Sequence, residues 1–299
     1  MPMISVVVPC YNGGKFLDQL TACLARQTFR DFEIVLVDDG STDPATQAKL
    51  ATLDPAIRVI HQENRGMAGA RNTGFAESRA DLVMVLDCDD QLEPTYLEEC
   101  LGALQSAPEE VGFVFTHDRS VGARQGIKKN YFNPFDALFK NVCSYGMLIR
   151  KTAWKRTGGY DETMRDGYED WEFSLRLISA GYIGVEIPKP LFIYNVSMQG
   201  MLMSRSSPMH AALWRRIRQK HSEMYRISNL VRLFLKTRTA RTEIYPFHAV
   251  AALMLTSILP DSWYSAIVHF IRCRRLSRSS KLGGSMVGPA TVHADAELT

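Results

Sequence analysis

Residues 82–90 read Leu82-Val83-Met84-Val85-Leu86-Asp87-Cys88-Asp89-Asp90, an unbroken apolar run that stops on clustered carboxylates. A strand exposed on one face would alternate apolar with polar residues. A continuous run implies burial on both faces. The same form recurs upstream. Ile4–Val8 ends at Pro9-Cys10-Tyr11-Asn12, Phe32–Val37 ends at Asp38-Asp39-Gly40-Ser41, and Ile57–Ile60 is a further short run. Segments of helical spacing separate them: Lys15–Gln27, Pro44–Leu53, Gly69–Ser78 and Pro94–Gln105. A fifth run follows at Val111–Phe115. The alternation predicts an α/β fold, a mostly parallel sheet flanked by helices. Beyond Val111 the alternation fades into short strands and loops. One clear helix, Trp171–Ala180, is ended by Gly181.

The chain has 299 residues, enough for about two domains or one large domain with an appendage. Hydrophobic residues make up 46% and charged residues 22%, which excludes disordered and collagen-like chains. The net charge of +3 hides an asymmetry. Residues 1–204 carry 20 basic and 27 acidic side chains, a net of −7, whereas 205–299 carry 15 and 5, a net of +10. The 6 cysteines form no CxxC pair and suggest no disulfide framework. The first residues lack the pattern of a secretory signal, so a reducing cytosol is the expected compartment.

In sheets of this kind ligands sit at the carboxyl ends of the strands. Asp87 and Asp89, two residues apart on an extended turn, point the same way. Two such carboxylates repel unless a cation or donors lie between them. Mg²⁺ or Mn²⁺ bridging to a diphosphate satisfies that need, although a solvated acidic loop is the commoner reading of an isolated Asp-x-Asp. Asp38 and Asp39 precede a glycine. Ser41 or Thr42 can cap the helix after Pro44, but capping leaves both acids unexplained. A carboxylate there can accept from a nucleobase N–H or a ribose hydroxyl. Tyr11 can stack on a base or cover the sheet edge. Arg71 is a natural partner for a base edge or a phosphate, or a solvated cation. Glu169-Asp170-Trp171 opens a helix, where acids are favourable in any case. The sharper reading is a general base that deprotonates an acceptor hydroxyl, with Gly158-Gly159-Tyr160-Asp161-Glu162 a flexible loop lining the acceptor side.

Seven motifs in order resemble glycosyltransferase family 2, inverting enzymes with the GT-A nucleotide-diphospho-sugar fold. They are Val6-Val7-Val8-Pro9-Cys10-Tyr11-Asn12, Gln27-Thr28-Phe29, Val37-Asp38-Asp39-Gly40-Ser41-Thr42-Asp43, Ala70-Arg71-Asn72-Thr73-Gly74, Leu86-Asp87-Cys88-Asp89-Asp90, Gly158-Gly159-Tyr160-Asp161-Glu162 and Glu169-Asp170-Trp171. The resemblance covers about residues 3–200. It implies that Pro9 and Tyr11 line a nucleoside pocket, that Asp39 accepts from the base with Arg71 beside it, and that Asp87 faces the ribose and sugar. Asp89 would hold a divalent metal, Mn²⁺ or Mg²⁺, on the diphosphate, and Asp170 would activate the acceptor hydroxyl. Asp38, Asp90 and Glu169 flank these positions as secondary candidates. The donor implied is a nucleotide-sugar, expected to be a UDP-sugar, and the acceptor a glycan or lipid-linked glycan. The sequence departs from the pattern at Tyr194-Asn195-Val196-Ser197, which lacks the His that many members carry after a Tyr. Arg205 or Ser204, in a Met-rich stretch, is the candidate replacement contact to the diphosphate.

The rear of the chain mixes basic and apolar residues at helical spacing, and Phe247–Leu259 is too short to span a bilayer. Residues 205–282 are expected to form a basic helical appendage. Either it packs on the catalytic domain or a second subunit, or it lies on the inner face of an anionic membrane, with residues 283–299 a frayed tail. No nucleic-acid-binding motif stands out. Two alternatives remain on sequence alone: a binding module of the same fold without turnover, and a nucleotidyltransferase.

Overall fold

In a computed structural model, residues 1–237 and Met254 are described. The stretches Phe247–Leu259 and Trp263–Ile271 and the tail 283–299 lie outside the described residues, apart from Met254. Residues Met1–Glu243 form one compact unit and Ile244–Thr299 a second.

Four parallel strands open the first unit: β1 (Ile4–Cys10), β2 (Phe32–Asp38), β3 (Ile57–His61) and β4 (Leu82–Val85), in the order β3-β2-β1-β4. β1 is buried along its full length, as its continuous apolar run requires. Its alternate residues serve two layers. Val6 and Val8 join the core formed with α1 (Leu17–Ala25) and α4 (Tyr96–Gln105). Val7 faces α3 (Gly66–Glu77), where a Cβ at Gly74 would lie 2.1 Å from its Cγ1. Helices thus cover both faces of the sheet.

The sheet continues beyond β4 with mixed directions. β8 (Leu148–Arg150) pairs antiparallel with β4 and with β6 (Val111–Gly122). β6 runs parallel to β9 (Ile183–Val196), whose far edge takes the short antiparallel β5 (Gln91–Leu92), while β7 (Gly126–Lys128) pairs with β6. The parallel half is as expected, but the region read as short strands and loops holds the two longest strands. Polar residues hide β6: Thr116, His117, Asp118 and Ser120 are all buried. Pro188 and Pro190 hide β9, and they fall where the register with β6 shifts between Thr116 and Asp118.

Two local expectations are corrected. Neither Ser41 nor Thr42 caps α2 (Pro44–Leu50); Asp43 does, accepting from the N–H groups of Ala45 and Thr46. Gly158-Gly159 is not a flexible loop. Gly158 ends α5 (Lys151–Thr157) in the left-handed conformation that favours glycine. A Cβ on Gly159 would lie 2.5 Å from Asn72 Oδ1 and 2.7 Å from Trp154 Nε1.

After α6 (Glu169–Ser179) and β9 come a π-helical turn at Leu202–Ser206, α7 (His210–Lys220) and α8 (Ile227–Thr237). α7 packs into the first unit. Trp214 is 1% exposed and its Nε1 donates to Leu138 O at 3.1 Å, while His221 Nε2 lies 3.1 Å from Glu172 Oε1.

Candidate active site

The carboxyl ends of the strands carry the acids. β4 stops at Val85, and Asp87, Cys88, Asp89 and Asp90 form the turn beyond it. Arg71, on α3, ties this turn to the start of α6. Its Nη2 donates to both Asp87 oxygens at 3.0 and 3.2 Å, and its Nη1 to Glu169 Oε1 at 2.7 Å. The guanidinium lies 5.1 Å from the ring of Tyr145 and 5.4 Å from that of Tyr160, and Arg71 is only 2% exposed. A buried cation is tolerated because two carboxylates pair with it. Residues 16 and 98 positions away in sequence thereby meet at one atom group.

Asp170 belongs to the same cluster. Asn141 Nδ2 donates to it at 2.7 Å, fixing the carboxylate at the first turn of α6. Burial, together with the charges of Asp90, Asp87, Asp170 and Asp89, pushes the Tyr194 phenol upward. Burial, despite Arg71, raises Glu169 to about 7, with Asp170 and Asp87 adding repulsion. Asp90 is buried and pushed well up by burial and by the charges of Asp89 and Asp87. It takes a hydrogen bond from Tyr145 and another from the Asn195 N–H at 2.6 Å, tying the turn to β9. Asp89 differs: among the described residues no side chain donates to it. Burial and the charge of Asp87 raise it to about 6.

An oxygen-only pair with one carboxylate pushed up by its neighbour's charge fits a hard divalent cation. Among the described residues no group of three or more His, Cys, Asp and Glu is placed to hold a metal. Asp89 and Asp87 would therefore contribute part of the coordination, with diphosphate and water left to supply the rest.

The other sequence candidates lie nearby or apart. Asp39 follows β2 at the same sheet edge, but its carboxylate is occupied. It accepts from the N–H groups of Arg65 and Gly66, both at 2.8 Å, and from Gln62 Nε2 at 2.6 Å, holding the start of α3. Arg71 makes no hydrogen bond to Asp39; its partners are Asp87 and Glu169. Burial pushes Asp38 upward, but bonds from Ser41 and His61 outweigh it and hold the carboxyl below its ordinary range. Pro9 is buried in β1 opposite Val37, and Tyr11 is 52% exposed beyond the strand end. Arg205 pairs with Asp166 at 3.7 Å and touches none of the clustered acids.

Sequence reading missed Tyr145, Asn141 and Tyr160 as parts of the cluster. Tyr145 accepts from the Asp87 N–H at 3.3 Å, donates to Asp90 and covers Arg71. Tyr145 and Asn141 sit in an irregular segment with no periodic signal. The placement of Tyr160 depends on Asn72, which accepts its N–H at 2.8 Å.

A sequence profile described as glycosyl transferase family 2 matches residues 5–159, just over half of the chain. The chain belongs to glycosyltransferase family 2. A second profile, glycosyltransferase-like family 2, matches residues 113–218 and so extends the family's reach into α7. Family 2 relatives include the chondroitin synthase of Escherichia coli, 29% identical over 189 residues, which cover 60% of this chain and 27% of that protein. Glycosyltransferase GlyG of Streptococcus pneumoniae is 37% identical over 125 residues, 40% of this chain and 42% of that one. The chain thus spans less than half the length of these curated relatives. Among solved structures, S. aureus TarS 1-349 in complex with UDP-GlcNAc is similar at a TM-score of 0.60 and 20% identity, over 73% of this chain and 65% of that one. The mannosyltransferase PcManGT from Pyrobaculum calidifontis, in complex with GDP-Man and Mn²⁺, gives 0.52 and 18% over 92% and 86%. At these identities the likeness is one of fold, and it is the GT-A fold of family 2.

Proposed function

We propose that the chain transfers a sugar, with inversion, from a nucleotide-diphospho-sugar to a hydroxyl of a glycan or lipid-linked glycan. The observation that carries this reading is the buried Arg71 at the carboxyl edge of the sheet, which lies by the rings of Tyr145 and Tyr160 and pairs with Asp87 and Glu169, so joining the turn that bears Asp89 to the helix start that bears Asp170. Asp170 takes the proton of the acceptor hydroxyl as its oxygen attacks the anomeric carbon, and the nucleoside diphosphate departs from the opposite face. Asn141 holds the Asp170 carboxylate, and Arg71 keeps Asp87 and Glu169 in place around it. Asp89 and Asp87 would hold a divalent cation, which supplies charge neutralisation for the leaving diphosphate. A UDP-sugar is the favoured donor, in keeping with the UDP-GlcNAc bound by TarS; the Mn²⁺ and GDP-Man of PcManGT support metal use. Pro9, Tyr11 and Asp39 stand at the neighbouring strand ends as the nucleoside side of the site.

The deciding experiment combines binding and turnover. Asp170→Asn is expected to abolish transfer while leaving UDP affinity, measured by titration calorimetry with Mn²⁺, within about twofold of wild type, because the base acts only in the transition state. A normal rate in that variant would remove Asp170 as the base, and identical UDP binding with and without Mn²⁺ in the wild type would remove the metal.

A peripheral contact with an anionic membrane through residues 205–282 is supported by α8. Ile227, Val231 and Leu235, four residues apart, are exposed in a stripe beside Arg232 and Lys236. Leu230 is buried and Phe234 meets Phe135 on the adjoining face of the helix. Among the described residues no helix is long and apolar enough to cross a membrane, so such contact lies in the interface. The full chain is expected to sediment with phosphatidylglycerol vesicles and not with phosphatidylcholine ones. Equal recovery with both would exclude a charge-driven contact.

A further inference from the structure

Cys10 closes β1, and Cys88 is the middle residue of the Asp87-Cys88-Asp89 turn. β1 and β4 run parallel with Val7 opposite Val85, and Leu86 N donates to Val7 O at 2.9 Å. Cys10 and Cys88 each lie three residues beyond that pair, Cys88 in the turn after β4. Gly13 lies across both: a Cβ there would sit 2.6 Å from Cys88 Sγ and 3.3 Å from Cys10 Sγ. Cys10 is buried, whereas Cys88 is half-buried and open to a small oxidant. Both thiols are free, and sugar transfer uses neither.

We propose that Cys10 and Cys88 close a reversible disulfide across the two strand ends, with a hydroperoxide as oxidant, and so join the turn carrying Asp87 and Asp89 covalently to the loop carrying Tyr11. The sulfur of one of the two cysteines, as thiolate, attacks one oxygen of hydrogen peroxide. The O–O bond breaks and the leaving hydroxide takes up the thiol proton as water, giving a sulfenic acid. The second sulfur then attacks the oxidised sulfur, and its proton leaves with the hydroxyl as a second water. Two thiols have lost two hydrogens and two electrons, and one peroxide has become two waters. A thiol reductant reverses the step.

The sulfurs close to about 2.05 Å, and the displacement falls on the residue between Asp87 and Asp89. A metal site holds its distances to about 0.2 Å, so the oxidised form binds metal and nucleotide more weakly. This consequence rests on the reading of Asp87 and Asp89 given under Proposed function; the disulfide itself does not.

The test uses the full native chain, treated with hydrogen peroxide, alkylated, digested and analysed by mass spectrometry. A linked peptide pair containing Cys10 and Cys88 is expected, lost on treatment with dithiothreitol. Mn²⁺-dependent UDP affinity is expected to fall by about tenfold or more on oxidation and to recover on reduction. Cys88→Ser is expected to bind UDP equally before and after peroxide. Both thiols remaining free, or either linked elsewhere, would overturn the disulfide. A Cys10–Cys88 link with unchanged UDP affinity would overturn the coupling to the metal turn. A link in a protein whose reduced form binds no UDP with Mn²⁺ would leave the disulfide standing and overturn the nucleotide-sugar reading instead.

Discussion

Asp89 has its carboxyl raised to about 6 by burial and by Asp87, so the folded chain holds that proton more tightly than the unfolded one. Its contribution to stability is therefore complete below the ordinary carboxylate range and is lost as pH rises through about 6. Asp89→Asn carries no such charge. Without metal, the variant is expected to melt above wild type near pH 7.5, by about 2–4 °C if the screened charge costs about 1 kcal/mol. The gap is expected to close by about pH 4. With Mn²⁺ and UDP added at the higher pH, wild type should overtake the variant, because only it gains a ligand. Thermal melts across pH check both signs. Asp87, Asp89 and Asp170 were legible as candidates because their residue types and strand-end positions carry a chemical meaning of their own. The environment of Arg71 was not. Its buried pairing with Asp87 and Glu169 depends on contacts 16 and 98 residues away, which local sequence does not encode.

α3 shows how an element is positioned by what it lacks. Gly74 lets the helix approach β1 so closely that a methyl group would lie 2.1 Å from Val7 Cγ1. Gly74→Ala is expected to destabilise the fold by about 1–3 kcal/mol through overpacking, read as a lower midpoint in urea unfolding. A midpoint equal to wild type would mean that the helix can shift freely. The parallel strands were legible because full burial leaves an apolar run. β6 was legible only in its first five residues, since its continuation, buried except at Arg119, reads Thr116-His117-Asp118-Arg119-Ser120. Polar strands of that kind follow from tertiary partners; Asn130 Nδ2, for example, donates to Thr116 O at 2.8 Å.

Across the whole molecule, acidic front and basic rear meet in specific contacts. Lys220 pairs with Asp161, and His221 Nε2 lies 3.1 Å from Glu172. Trp214 and Tyr225 both donate to Leu138 O, so α7 and the turn after it close over the segment that also presents Asn141. Trp214→Ala is expected to cost about 3–5 kcal/mol, the range for emptying a large buried site. Denaturant unfolding of the full chain measures it, and a loss under about 1 kcal/mol would mean that α7 packs only loosely.

By itself the sequence determined the fold class, the parallel half of the sheet and the identity of the acids at its carboxyl edge. Each of these is written in local periodicity and in short motifs. Only the tertiary structure decided that Arg71 joins Asp87 to Glu169, that Tyr145 braces the Asp87–Asp90 turn, and that Asp39 spends its carboxylate on the start of α3. It also decided that β6 and β9 form the longest pair. Such contacts arise from segments far apart in the chain, and burial can make a polar residue as much a part of the interior as an apolar one once a partner satisfies it.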